Sequence, residues 1–168
     1  MEKNVVFEKT YSYETNEIKP AVLEFFKFRT KISLILSIIF ILLGIAFTIL
    51  TIIIKGDTTT FASSLIIVGA GLFLLFFIII LYIKTKNKKY NPVEYSYIFY
   101  DDSLLIDFKT ENMNNHLVLK YSDIFKVVRL KNYTYIFIDK NQAYFISNDS
   151  YDNEFYSFLK NKINRFKG

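Results

Sequence analysis

Few side chains in this sequence have the type and spacing that chemistry requires. Asp101 and Asp102 form an adjacent acid pair of the kind that could share general acid and base work. Neighbouring residues at a strand end point to opposite faces, so the pair reads instead as a hairpin turn. His116 is the single histidine and has no partner in sequence for metal ligation, so it reads as an exposed residue on a strand edge. Asp123, after Ser122, reads as a turn-former that hydrogen-bonds its own backbone. Gly69-Ala70-Gly71 lies inside an apolar run and cannot cradle a phosphate. A Walker loop, a G-x-S-x-G turn, an H-E-x-x-H helix and a glycine-rich dinucleotide turn are all missing. With no cysteine there is no disulfide, iron–sulfur cluster or thiolate zinc site. The chain is therefore read as a non-enzyme, without catalytic residues, cofactor or bound metal.

The elements that would position any site fall into two kinds. Ile32 to Ile54 and Phe61 to Ile83 carry no charged residue. Each run would make a helix of about 34 Å at 1.5 Å per residue, against a hydrocarbon core of about 30 Å. A charged side chain at a span centre costs about 2.5–3.5 kcal/mol, so two such windows point to a pair of membrane spans rather than to core helices. The first run is too long for a signal-peptide core and lacks a small-x-small exit, so a cleaved leader is not expected. Gly56, Asp57 and Thr58 to Thr60 form a short connection that makes the spans antiparallel neighbours. The net charge of +5 concentrates beside these runs, at Lys19, Lys27, Arg29 and Lys31 before the first and Lys84, Lys86, Lys88 and Lys89 after the second. Lys55 alone sits in the connection, so the positive-inside rule places both termini in the cytoplasm. The basic excess thus reads as a membrane signal and not as nucleic-acid binding. Lys84 to Lys89 could also meet anionic headgroups, although a topology determinant needs no specific lipid. Small residues in the spans, Gly44, Thr48 and Thr51 with Ala62, Ser63, Gly69, Ala70 and Gly71, could let the backbones approach. No ionisable group lies within either span, which argues against a proton relay or ion path.

After Pro92 the pattern turns to alternation of aromatic and β-branched residues. Tyr95, Tyr97 and Phe99 form one strand, and Leu104, Ile106 and Phe108 a second. A polar loop at Glu111 to Asn115 precedes Leu117, Leu119 and Tyr121. Ile124 to Leu130 is a fourth run, and Lys131-Asn132 is a tight-turn candidate because Asn tolerates the left-handed region. Tyr133, Tyr135 and Phe137, then Ala143 to Ser147, complete an antiparallel meander. A closing helix follows, capped by Asp149 or Ser150, with Asp152 and Glu154 in its first turn and Lys160, Lys162, Arg165 and Lys167 in its last. Its stripe of Tyr151, Phe155, Phe158, Leu159, Ile163 and Phe166 is expected to pack on the sheet. Val5, Phe7, Tyr11 and Tyr13 read as a further strand able to join the other six, followed by a helix-like stretch from about Thr15 to Lys31. Seven strands and a closing helix is the count of a pleckstrin-homology-like (PH-like) fold, here with the helical hairpin inserted after the first strand.

The expected architecture is thus a membrane α-helical hairpin plus an α+β part, an antiparallel PH-like β-sheet closed by a C-terminal helix. Residues 1–31 supply the N-terminal strand and membrane-approach helix. Residues 32–83 form the hairpin, with spans 32–54 and 61–83, and residues 84–168 the cytoplasmic β-rich domain. The chain resembles the YcxB-like membrane proteins of low-GC bacteria. The likeness rests on Tyr97-Ile98-Phe99-Tyr100-Asp101-Asp102, Tyr121-Ser122-Asp123-Ile124-Phe125-Lys126-Val127, Tyr133-Thr134-Tyr135-Ile136-Phe137 and Glu154-Phe155-Tyr156-Ser157-Phe158-Leu159. Family members often carry Trp where this chain has Tyr121. The resemblance implies a membrane-anchored domain and brings no catalytic residues with it.

Two functional expectations follow. One is a non-catalytic binding or scaffolding module at the cytoplasmic face of a bacterial cell membrane, multi-pass, with both termini inside. The other is a small membrane immunity or stress-protection protein directed against a toxin. The expected partners are the lipid bilayer and another protein or peptide, with a homo-oligomer possible and no nucleic acid. The residues singled out are the membrane-flanking cations Lys27, Arg29, Lys31, Lys84, Lys86, Lys88 and Lys89.

Overall fold

A computed structural model describes residues 4–13, 15–110 and 113–167. The chain divides into two units, Met1–Glu24 with Lys89–Gly168, and Phe25–Lys88.

The second unit is an antiparallel pair of long apolar helices. Helix α1 spans Thr15–Ile53, its first turns belonging to the other unit, and α2 spans Thr58–Asn87. Both are long and apolar enough to cross a membrane. Helix α1 ends because Lys55 adopts a left-handed backbone (φ 49°), which lets its N–H donate to Ile52 O and that of Gly56 to Thr51 O. These are the paired bonds of a Schellman stop. The connection is shorter than the sequence suggests, because Thr58, Thr59 and Thr60 already lie in α2. Asp57 caps that helix, its Oδ1 accepting from Thr60 N at 2.8 Å.

The seam between the helices repeats every seventh residue. Ser37, Gly44 and Thr51 of α1 are buried, as are Ser64, Gly71 and Ile78 of α2. A Cβ on Gly71 would stand 2.9 Å from Ser37 O, and one on Gly44 2.8 Å from Val68 N, so both glycines admit close backbone approach. Thr48 Oγ1 donates to Ser64 Oγ at 2.9 Å across the seam. The expected seam is corrected in part. Ala62, Ser63, Gly69 and Ala70 are exposed, and a Cβ on Gly69 would meet nothing within 4 Å, whereas Ser37 and Ser64 line the contact.

The first unit holds two four-stranded sheets rather than one meander. Strands β1 (Val5–Tyr13), β2 (Val93–Tyr100), β3 (Ser103–Thr110) and β4 (Met113–Lys120) form an antiparallel sheet in that order. Strands β5 (Lys126–Arg129), β6 (Tyr133–Phe137) and β7 (Ala143–Ser147) form a second antiparallel set, extended by β8 (Phe166–Lys167) parallel to β5. Strand β1 precedes α1 and pairs with β2, which follows α2, in a register running from Phe7↔Phe99 to Tyr13↔Val93. The loop expected at Glu111 to Asn115 is mostly strand, since Thr110 pairs with Met113; residues 111 and 112 lie outside the described residues. Tyr121 leaves the third run for a 3-10 turn with Ser122 and Asp123, its hydroxyl donating to Tyr100 O at 2.7 Å.

The closing helix α3 (Asn153–Lys162) is shorter than its apolar stripe implies. Asp152 caps it by accepting from Phe155 N at 3.1 Å, while Asn148–Ser150 form a 3-10 turn before it. Ile163 is its C-cap, so Arg165 and Lys167 fall beyond it and Phe166 becomes part of β8. The Lys131-Asn132 turn forms without a positive φ, closed by Leu130 N donating to Tyr133 O at 2.9 Å. Asn148 holds this corner. Its Nδ2 donates to Leu130 O and Lys131 O, and its Oδ1 accepts from Thr134 Oγ1 and Tyr156 OH.

Aromatic rings dominate the core between sheets and helix. Phe99 and Phe155 are fully buried with ring centroids 4.9 Å apart, and Phe7 of β1 meets Phe155 at 5.3 Å. Tyr97 OH joins the sheets by donating to Phe145 O at 2.9 Å.

Candidate functional site

The residues singled out for chemistry do not converge. Asp101 accepts from Lys162 Nζ at 2.6 Å, which ties the β2–β3 turn to the end of α3, and Asp102 accepts from Ser103 Oγ at 2.7 Å. His116 is exposed on β4, opposite Asp107 of β3. Ser122 Oγ donates to Asp123 Oδ1 at 2.9 Å. Among the described residues no cluster of three or more histidine or acidic side chains could hold a metal ion. The flanking cations Lys27, Arg29, Lys31, Lys84, Lys86, Lys88 and Lys89 are all exposed. Lys84 and Lys86 occupy the last turn of α2, where its dipole favours positive charge, and Lys88 is the C-cap.

A site not apparent from sequence lies where two sheet edges meet. Strand β1 ends one sheet and β7 ends the other. Between them opens a cavity of about 480 Å³ lined by Thr10, Tyr11, Ser12, Tyr13, Glu17, Pro20, Tyr133 and Ser147. Alternation along β1 puts Tyr11 and Tyr13 on one face, where their rings stack at 5.4 Å. Phe145 of β7 backs the cavity, 5.0 Å from the Tyr13 ring and 5.7 Å from that of Tyr133. The start of α1 is fixed to the same unit by buried Ile18 and Ala21, by Tyr135 OH donating to Ala21 O at 2.7 Å and by Asn132 N donating to Glu24 Oε1 at 3.1 Å. That anchorage sets Glu17 and Pro20 over the cavity.

The hydroxyls here are unusual. The phenol oxygens of Tyr11, Tyr13 and Tyr151 are buried and make no hydrogen bond. The Tyr11 hydroxyl lies beside those of Ser150 and Tyr151, and Tyr13 beside the Ser147 backbone, without reaching bonding geometry. Burial pushes all three phenols above their ordinary ionisation range. Burial also raises Tyr133, with the negative charges of Glu24, Glu17 and Asp149 adding to it. The site thus holds neutral phenols in a negative field.

Two other cavities lack this character. One of about 370 Å³ on the outer face of the first sheet mixes Glu94 and Asp107 with Lys109 and His116. Another, of about 590 Å³, sets Asp123 and Asp139 beside Lys140 and Arg165. Asp139 already accepts from Asn141 N and Gln142 N, and Arg165 stands 5.5 Å over the Phe125 ring.

One antiparallel and one mixed four-stranded sheet, with a C-terminal helix packed on them, define the class of the β-unit. Residues 99–163 match the family model described as YcxB-like protein, the family its strand and turn motifs resemble. The matched stretch runs from Phe99 in β2 to Ile163 at the end of α3, so it contains Tyr133 and Ser147 of the cavity but not β1 or α1. No curated protein and no solved structure matches the chain.

Proposed function

We propose that this protein is a membrane-anchored, non-catalytic binding module. Helices α1 and α2 cross a bacterial plasma membrane with both termini cytoplasmic, and the β-unit is a PH-like domain that engages a protein or peptide at the inner face. The observation that carries the anchoring is an inverted surface on the helical pair. Nearly all of the exposed large apolar side chains lie between Ile32 and Ile83, with Val5, Val6, Met113 and Val118 the exceptions among the described residues. Ser37, Thr51 and Ser64 are buried instead. In the most apolar windows only 17% of α1 and 11% of α2 is buried, unlike the core helices of a soluble protein. Leaving one Leu, Ile or Phe in water forgoes about 1.5–3 kcal/mol, so a run of them would exceed a typical stability of about 5–15 kcal/mol. Lipid removes that cost. Seven principal strands in two sheets, with Phe155 and Leu159 of α3 fully buried, support the PH-like reading.

Membrane extraction and labelling test the anchoring. Alkaline carbonate should leave the protein in the membrane fraction. A Thr58→Cys variant should react with an impermeant maleimide in intact cells, and a Lys140→Cys variant only after lysis. Release by carbonate, or the reverse labelling pattern, defeats the topology. A photo-crosslinking residue at position 12 or 118, on the two outer strands of the first sheet, should capture a reproducible partner if the β-unit is a binding module.

A further inference from the structure

We propose that the cleft between β1 and β7 binds an organic cation, an ammonium or guanidinium group, through the Glu17 carboxylate and the rings and hydroxyls of Tyr11, Tyr13 and Tyr133. This rests on the binding-module reading of the β-unit and names the chemistry of its ligand. Three observations select a cation. First, Glu17 is the one charged residue lining the cavity among the described residues, and Glu24 and Asp149 add negative potential at Tyr133. An anion would be repelled. Second, three tyrosine rings line the space, and aromatic faces attract ammonium and guanidinium groups through their quadrupole. Third, Tyr13 is 6% exposed, yet its hydroxyl has no hydrogen-bond partner. Buried polar groups are almost always paired, so this hydroxyl would gain from a donor brought to it. Being neutral, it can accept from an N–H. A purely apolar ligand would leave it unpaired. Thr10, Ser12 and Ser147 supply further hydroxyls along the rim. No bond is made or broken: the event is binding alone.

The experiment uses the full chain in nanodiscs of zwitterionic lipid, so that the bilayer itself does not collect cations. Binding is read by calorimetry and by NMR of ring-labelled tyrosine. The probes are spermidine, a blocked Gly-Arg-Gly tripeptide, a blocked Gly-Gln-Gly tripeptide and inorganic phosphate. Saturable binding of spermidine or of the arginine peptide, with ring shifts at Tyr13 and Tyr133, is the expected result. Spermidine alone would identify a free amine, and the arginine peptide alone a basic side chain of a partner. Glu17→Gln should weaken the affinity about tenfold or more, as loss of a charge-assisted contact does. Tyr13→Phe should weaken it less. Glu17 is exposed, so its variant tests charge without disturbing the core. Absence of saturable cation binding overturns the inference, as does equal binding by the Gln peptide or an unchanged affinity in Glu17→Gln. A partner captured by crosslinking while both cations fail would sink this inference and leave the module reading standing.

Discussion

The helical pair and the β-unit are built on opposite rules. In the β-unit the largest side chains are innermost: Tyr97, Phe99, Phe137 and Phe155 are fully buried, and among its described polar residues Ser103 and Thr134 alone are buried with them. In the helical pair Ile32, Ile53, Ile66 and Phe73 are the most exposed, while serine, threonine and glycine make the seam. The β-unit is assembled by taking apolar area out of water, which scales with side-chain size. That force cannot join two helices in lipid, where tails are as apolar as leucine. Close backbone packing and hydrogen bonds must serve instead, and these favour small residues. On the membrane-anchored reading proposed above, the contrast is that of one chain built for two solvents.

Alkaline titration should give the largest separation between the two regions. Tyr97 is 0% exposed, and burial raises its phenol, together with Tyr13, Tyr121 and Tyr151. A phenol with a raised value in the fold binds its proton more tightly there than when unfolded. Its stabilising contribution is complete below about pH 10, the unfolded value, and is lost as pH rises toward the folded values. The sheets should therefore unfold cooperatively above about pH 10, with phenolate absorbance appearing in the same step. The helical pair contains one tyrosine, Tyr82, and its helical signal should persist. Smooth phenolate titration with the sheets intact would contradict this.

Phenylalanine truncation probes the same contrast at single residues. Phe99→Ala should cost about 3–5 kcal/mol in denaturant unfolding of the β-unit, the usual loss for a buried ring. Phe73→Ala, whose ring is 68% exposed, should change the stability of the helical pair in lipid by less than about 0.5 kcal/mol. A large loss at Phe73 would mean that another protein surface, rather than lipid, covers that face.

Most of this division was legible in the sequence, because period and charge are local signals. Charge-free runs marked both helices, and alternation marked β1, β2, β3 and β6, whereas the polar start of β4 read as a loop. Features that depend on distant residues were not legible. The choice of Asp152 over Asp149 or Ser150 as cap depends on where β7 ends. Phe166 matched a helical stripe, yet β5 offered an edge on which it pairs with Val127. Gly69 and Gly71 look equivalent in sequence, and only their opposite facing on α2 separates them. The tyrosine cleft joins residues 10–13, 17 and 20 to 133 and 147. Tyr11 and Tyr13 carry the alternation of a buried strand, and nothing local marks their hydroxyls as unpaired.

The glycines give a smaller and more specific test. Gly71→Leu forces a side chain against Ser37 O and Ile41, and overpacking of this kind costs about 1–3 kcal/mol. Gly69→Leu points into open space and should be neutral, within about 0.5 kcal/mol. The readout is the SDS concentration that separates the helices, followed by energy transfer between labels at positions 27 and 84, near the Phe26–Tyr82 ring contact at 6.1 Å. Equal effects at both glycines would remove the seam as described.

The smallest effect belongs to the bond that crosses the seam. Thr48→Val keeps the side-chain shape and removes the donor to Ser64. Thr48 Oγ1 also lies 2.8 Å from Gly44 O, and Ser64 Oγ donates to Phe61 O at 2.7 Å, so each hydroxyl has a partner in its own helix. When the helices separate, the single Thr48 proton can turn wholly to Gly44 O while Ser64 keeps Phe61 O, so the interhelical bond adds only the difference. That difference averages about 0.6 kcal/mol in membrane proteins, and the SDS midpoint should fall by a corresponding small amount. Ser64→Ala should lower it equally, and the double variant should fall little further, because both remove one bond. Additive losses would mean that the two hydroxyls act through separate contacts, and small-residue packing alone would then hold the pair together.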